Sequence, residues 1–483
     1  MKQLSYYIVI LGLLAFGHVA KAQQNLTLFL MHDVPQANFV NPAVTYQCDW
    51  IVGVPALASL HSNYNNSAFT VNDALRYDAA TDSSYVNFDK VVNQLDNTEI
   101  VASTVHYTPL YAGFWLKNNW ITFSVTEKVT AFNTMPREAA ELLWYGNTHF
   151  VGRKASLDGL RLSGYHYRDY ALGIARKVSE RLQLGMHARL LFGKGSMYTP
   201  QTLGGLTTNA TNFNLLIDLD TRVHTSFPIE VELDDEGYVN NIDLQDDIDW
   251  QQYMMNAKNL GVGFDFGFIY ELDERTTLSG SLLNLGVIGW KTDVNTFVSD
   301  GTFEFTGTDS STDFNNGDYW QELGDSLRHQ FLPVPDNNTF TTHLTPEMYL
   351  GATRTFTDHL NAGAVFYSRI YRNRIMPAFT LSANTYNYKR LNGSLSYTAI
   401  NGDYMNIGAG LGLKLGVFHL HAVSDNLLGF LKLENQRNLN LRFGLSIVPR
   451  CDEPRNEAQK SKKGISALPC YQDPYTKGRR KRR

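Results

Sequence analysis

Between Leu182 and Phe192 the chain reads LQLGMHARLLF, an almost unbroken alternation of apolar residues with polar or small ones. Successive side chains of an extended strand point to opposite faces. Leu182, Leu184, Met186, Ala188, Leu190 and Phe192 therefore share one face, and Gln183, Gly185, His187 and Arg189 share the other. The pattern returns in Trp120–Val129, Gly261–Leu272, Met405–Leu415 and Leu439–Ile447. Each run is close to the roughly 9 to 11 residues that a tilted strand needs to cross a bilayer. A soluble sandwich would turn the apolar face inward, whereas a membrane barrel would turn it toward lipid and line its lumen with the polar face.

The connections favour the barrel. Ser179-Glu180-Arg181, Asp273-Glu274-Arg275 and Thr357-Asp358 are short polar breaks between long alternating runs, which predicts antiparallel hairpins. The other ends of these runs enter long polar stretches, chiefly Gly193–Lys258 and Lys291–Pro346. Short turns at one end and long loops at the other are the layout of an outer-membrane barrel. The polar face also carries Gly185, Gly261, Gly263, Gly267, Gly408, Gly410, Gly412 and Gly444, too small a set to pack a sandwich core but suited to a crowded, wet lumen. Further strands are expected over Asp49–Ser59, Val101–Leu116, Met376–Tyr386, Leu391–Thr398 and Val417–Leu433. The expected fold is all-β, an antiparallel transmembrane β-barrel of about 14 strands (12–16) with long extracellular loops.

The ends of the chain set the compartment. Lys2, the short apolar run Tyr7–Phe16 and the small residues of Ala20-Lys21-Ala22 read as a cleavable signal peptide, with cleavage after Ala22. After it no run of 18 apolar residues occurs, so a membrane-embedded mature chain must be a closed barrel. Aromatic residues make up 12% of the chain, including 26 Tyr and 27 Phe, a content that suits interfacial girdles. Three cysteines are too few for a disulfide scaffold; Cys451 and Cys470 could pair in an oxidising compartment, leaving Cys48 alone. The expected organisation is a signal peptide at 1–22, a periplasmic or lumenal segment at 23–48, the barrel at 49–449 and a basic, disordered tail at 450–483. The tail ends Lys477-Gly-Arg-Arg-Lys-Arg-Arg483. An exported chain makes nucleic acid an unsuitable partner for it, and acidic lipid, cell-wall polymer or protein a suitable one.

Chemistry-bearing motifs are sparse. Gly193–Ser196 (GKGS) lacks the upstream glycine of a phosphate loop and reads as the start of a loop. His419 and His421 lie two apart on one strand and should both face the lumen, as lining or as two ligands lacking a third. The acidic stretch Asp234–Asp249 reads as a solvated loop or, alternatively, a calcium site without EF-hand spacing. In Asp318–Phe331, Trp320, Leu323, Leu327 and Phe331 share a helical face, suited to packing on the loop, covering the pore, lying on the membrane or gripping a partner. No catalytic, cofactor-binding or metal-ligating residue is assigned, and no cofactor is expected.

Several stretches together resemble a known family. They are MHDVPQANFVNPAV with its Pro35-Gln36 and Asn41-Pro42-Ala43, Ser281–Asp293 (SLLNLGVIGWKTD), Thr302–Asp309 (TFEFTGTD), Pro346–Ala352 (PEMYLGA) and Val423–Phe430 (VSDNLLGF). Over about Gln24–Pro449 the chain resembles a domain-of-unknown-function family of outer-membrane β-barrels from the Bacteroidota. That family is distantly similar to long-chain fatty-acid transporter barrels and to barrel components that accompany type IX secretion. The resemblance implies a barrel of about 14 strands and no reaction. The chain departs from the common pattern by continuing past its last strand into the basic tail. Three functions follow as expectations: non-enzymatic passage of small or hydrophobic molecules across the outer membrane, an accessory barrel of a secretion or surface assembly, and a hydrolase at the barrel rim.

Overall fold

The computed structural model describes residues 25–449 apart from 79–81, 234–238, 246, 307–332, 335–337, 373, 386–389, 401–402 and 431–432. Fourteen strands close into one antiparallel ring. They are β1 (Trp50–Gly53, resuming as Ser59–Asn66), β2 (Thr98–Leu116), β3 (Asn119–Pro136), β4 (Arg161–Lys177) and β5 (Leu182–Thr208). Then come β6 (Asn259–Glu271), β7 (Thr276–Trp290), β8 (Glu347–Thr357), β9 (Leu360–Tyr371) and β10 (Arg374–Thr385). The last four are β11 (Leu391–Ile400), β12 (Asp403–Leu415), β13 (Phe418–Ser424) and β14 (Asn438–Ile447). Each pairs with its neighbours in sequence, and β14 closes the ring on both halves of β1, with Val52 opposite Ile447 and Leu60 opposite Phe443. Closure leaves no open edge, the condition a sheet must meet in hydrocarbon.

The ring is inside out relative to a soluble protein. On β5, Leu184 and Leu190 are 44% and 42% exposed, whereas His187 and Arg189 are 7% and 5% exposed. On β6, Val262, Phe264 and Phe266 face out around a buried Asp265, and on β12, Ile407 and Leu411 face out around a buried Asn406. In water such an arrangement would bury charge and wet leucine; in a bilayer it puts the apolar side chains against lipid and the polar ones in the lumen.

Several elements differ from the sequence expectation. Gly193–Lys258 is not loop throughout: β5 runs on to Thr208, so Gly193–Ser196 lies within a strand and does not start a loop. The first part of β5 pairs with β6, and its second part pairs with Leu215–Ser226, which pairs in turn with Val294–Phe305. At about 3.3 Å per residue, 27 residues reach roughly 90 Å, well beyond the roughly 30 Å of hydrocarbon, so the ribbon continues past the ring while its base at Ser226 and Val294 packs on the rim. The strand expected over Asp49–Ser59 is broken at Val54–Ala58, because Pro55 has no N–H for the ladder and Ala56 takes a positive φ of 66°. The break bulges outward with Leu57 exposed and is pinned where Val54 N–H donates to Leu445 O and Leu445 N–H to Leu57 O. The strand expected over Val417–Leu433 ends at Ser424 and passes into a 3-10 turn at Leu428–Phe430. Residues 239–244 of the acidic stretch form a hairpin strand with Ile229–Leu233. Residues 234–238 and 246 of that stretch, the segment Asp318–Phe331, the expected signal peptide and the basic tail lie outside the described residues.

Cys48 is disulfide-bonded, which overturns the pairing that leaves it alone. Cys48 packs beside Ile51, Trp120 and Val448, where the first strand and the end of the last one meet. The alternation had no bearing on this contact because it depends on ring closure.

Two outcomes are expected. Leu190→Lys should cost about 2–4 kcal/mol of folding into bilayers, read by urea titration in vesicles, if its exposed face meets lipid. Alkylation of the denatured, unreduced protein should label a single thiol, rising to three after reduction.

Candidate functional site

Residues 25–48 run through the middle of the ring, and this segment is the centre of the site. Its apolar residues follow no period of two, so neither face of a strand claims it. Leu26, Leu28 and Phe29 are fully buried, and Phe29 stacks on Tyr349 of β8 at 5.0 Å. The short helix Leu26–Phe29 is held at its start by Asp425, whose carboxylate accepts from Leu26 N–H at 3.1 Å and Thr27 N–H at 2.8 Å. Asn440 Nδ2 donates to the same carboxylate at 2.8 Å, Arg442 Nε donates to Asn25 Oδ1 at 2.9 Å, and Thr27 Oγ1 lies 2.7 Å from Ser396 Oγ. Charge-assisted contacts of this kind hold the segment at one end.

Its other end rests on β2, β5, β6 and β7. Asn41 Nδ2 donates to Phe268 O at 3.3 Å, Ser281 Oγ to Val40 O at 2.6 Å, Gln183 Nε2 to Ala43 O, and Trp115 Nε1 to Tyr46 O at 2.9 Å. Two lumenal glycines make the close approach possible: a Cβ at Gly185 would overlap the Pro42 carbonyl, and one at Gly267 would overlap Asn41 Oδ1. The lumenal glycines read in the sequence as signs of a crowded interior thus include the seats of the segment itself.

Beside the segment lies a charged network drawn from four strands and a bulge. Arg189 of β5 donates to Asp169 of β4 at 2.6 and 2.9 Å, to Asp265 of β6 at 3.1 Å and to Asn284 Oδ1 at 2.8 Å. Lys128 Nζ of β3 lies 2.9 Å from Asp169. His187 Nδ1 is 3.3 Å from Asp265, while its Nε2 is 3.1 Å from Asn38 Oδ1 and so joins the network to the segment. Asn284 takes a positive φ of 61° where β7 bulges, and its N–H donates to Asp265 at 2.7 Å. Two cations face two carboxylates, so the buried charges are matched, and removing one partner would leave its mate unpaired. A second buried pair, Arg369 with Glu347 at 2.8 Å, lies on β9 and β8.

The space left is small. A cavity of about 70 Å³ lies between Asn38, Phe39 and the network at Lys128, Asp169 and Arg189. That volume holds a few waters, against roughly 300–1,000 Å³ for small-molecule sites. His419 and His421 face the lumen and are buried, with His419 beside Tyr46 at 6.2 Å between ring centroids. Among the described residues no three His, Cys, Asp or Glu side chains gather to hold a metal ion. Sequence reasoning found His187 and Arg189 as inward-facing residues and set residues 23–48 apart as a periplasmic or lumenal segment, but not the contacts that join them.

A family model described as a family of unknown function, DUF5723, matches residues 42–425. The chain belongs to that family. No curated protein matches it. Among solved structures it is similar to the toluene transporter TbuX of Ralstonia pickettii, at 9% identity and a TM-score of 0.39, over 86% of this chain and 94% of that one. It is also similar to a FadL homologue of Pseudomonas aeruginosa, at 11% identity and a TM-score of 0.39, over 88% and 96% of the two chains. The toluene transporter TodX of Pseudomonas putida follows at 9% identity and a TM-score of 0.32, over 89% and 93%. At these scores the likeness carries no argument about cargo.

His32 gives the docked segment a pH dependence. Desolvation lowers its pKa from 6.5 to about 4, partly opposed by the Phe29 carbonyl. Between those values the undocked segment takes up the proton and the docked one does not, so docking weakens as pH falls, by at most about tenfold per pH unit. Amide exchange of residues 26–34, corrected for its intrinsic pH dependence, should show this component in the wild type and lose it in His32→Phe.

Proposed function

We propose that this protein is an outer-membrane barrel that passes small hydrophobic molecules without catalysing a reaction, and that the segment 25–48 is the element that must move. The observation that carries this reading is the character of the wall the segment covers. Leu26, Leu28, Phe29, Met31 and Val34 pack on Phe132, Tyr349, Val365, Tyr367, Met376 and Ile400, a largely aromatic and aliphatic lining inside the ring. Displacing the segment uncovers an apolar half-lumen beside the matched charges at Arg189, a surface that favours a hydrophobic solute over an ion or sugar. The apolar packing on this side can be exchanged for contacts with a cargo, while Asp425, Ser396 and Arg442, which bond the segment, pass their hydrogen bonds to water as it leaves.

A second reading, an accessory barrel in a secretion or surface assembly, is favoured by the ribbon of Leu215–Ser226 and Val294–Phe305 that continues β5 beyond the ring. Such an extended sheet offers a docking surface independent of the lumen.

The test locks the segment. Thr27→Cys with Ser396→Cys replaces a hydroxyl contact of 2.7 Å by a disulfide. In proteoliposomes carrying the full chain, entry of a small aromatic hydrocarbon should fall at least tenfold on oxidation and return on reduction, with Ser396→Cys alone unaffected. Equal entry with the lock closed would overturn the reading.

A further inference from the structure

The outer wall of β4 to β8 carries a groove of about 600 Å³ that the lumenal function does not use. Register places two rows of outward residues across it. One row is Arg176, Leu184, Phe268, Gly280 and Leu350, and the next is Ile174, Met186, Phe266, Leu282 and Met348. Gly280 carries no side chain, so the Phe268 ring and Leu350 close over its backbone and line the first row. The floor of the groove is backbone at Gly185 and Gly267, the same two residues whose inner side seats Asn41 and Pro42. The wall is therefore one backbone thick between the groove and the lumenal segment.

Arg176 is the sole charged residue of the lining. It lies just before the short turn Val178–Arg181, so it marks the groove's end at the short-turn rim of the barrel. Its guanidinium is outward, and no hydrogen bond or ion pair is formed by it among the described residues; its neighbour Lys177 instead meets Glu271 at 3.6 Å. An apolar channel on a lipid-facing wall, ending in an unpaired guanidinium at the interface, matches one ligand chemistry: an acyl chain in the channel and a phosphate at the cation.

We propose that this groove is a binding site for a phospholipid of the leaflet at the short-turn end, with an acyl chain lying over Phe268, Gly280 and Leu282 and the phosphodiester on Arg176. The proposal rests on the membrane placement in the proposed function and not on the cargo. A volume of 600 Å³ is within the range of small-ligand sites, roughly 300–1,000 Å³.

The test is native mass spectrometry of the full-length protein released from mild detergent after incubation with phosphatidylglycerol or with a diacylglycerol bearing the same chains. The wild type should retain phosphatidylglycerol about tenfold better than diacylglycerol. Arg176→Gln should bring the two to the same level, and Met186→Trp, which fills the groove from its exposed side, should remove both. Leu395→Trp, an exposed position on β11, serves as the control and should change neither. Phosphatidylglycerol retention that survives both Arg176→Gln and Met186→Trp overturns the proposal, as does equal loss in Leu395→Trp. Because retention is read without transport, equal hydrocarbon entry with the segment locked would overturn the proposed function and leave this result standing, and loss of retention leaves that assay intact.

Discussion

The pairing of β14 with both halves of β1 is the contact on which the rest depends, because hydrocarbon offers no hydrogen-bond partner to a bare sheet edge. Once the ring is closed, every spanning strand has a neighbour on each side and the two faces acquire different solvents. The apolar face of β5 can then stand exposed while His187 and Arg189 are buried. Even the irregular stretch Val54–Ala58 obeys the rule: it leaves the ladder at Pro55 yet returns its polar groups to Leu445 and Pro109.

Closure creates a lumen, and the lumen is filled in two ways. On one side the segment 25–48 supplies aliphatic and aromatic side chains that pack against the wall much as a soluble core would. On the other, Arg189, Lys128, Asp169 and Asp265 neutralise one another in hydrogen-bonded contact. The two halves meet at Asn38 and His187. A buried charge network of this kind is costly to open piecemeal, whereas the apolar packing of the other half can be exchanged for another hydrophobic occupant once the contacts of Asp425 and Arg442 with the segment are released. That asymmetry gives the barrel a rigid side and a replaceable side.

Glycine does different work at different places in the wall. Gly185 and Gly267 admit the backbone of Asn41 to Ala43 from the inside, and Gly280 admits the ring of Phe268 against the wall on the outside. A larger residue at either of the first two would push the segment from its seat. The same thin wall thus accommodates the lumenal segment and the exterior groove.

The sequence by itself determined the strands, their hairpin turns and which residues share a face, because a period of two and a bilayer's thickness are local constraints. LQLGMHARLLF already separated Leu190 from Arg189, and Ser179-Glu180-Arg181 already marked the turn before it. It did not show that β5 continues to Thr208, since pairing with Leu215–Ser226, and not alternation, sustains that half. Nor did it show that Arg189 meets Asp169 and Asp265, that Asp425 holds Thr27 across the ring, or that Cys48 is bonded. These contacts join residues tens to hundreds of positions apart. Only the register of the closed ring brings them together, because a slip of one residue in any strand would turn its partner toward lipid.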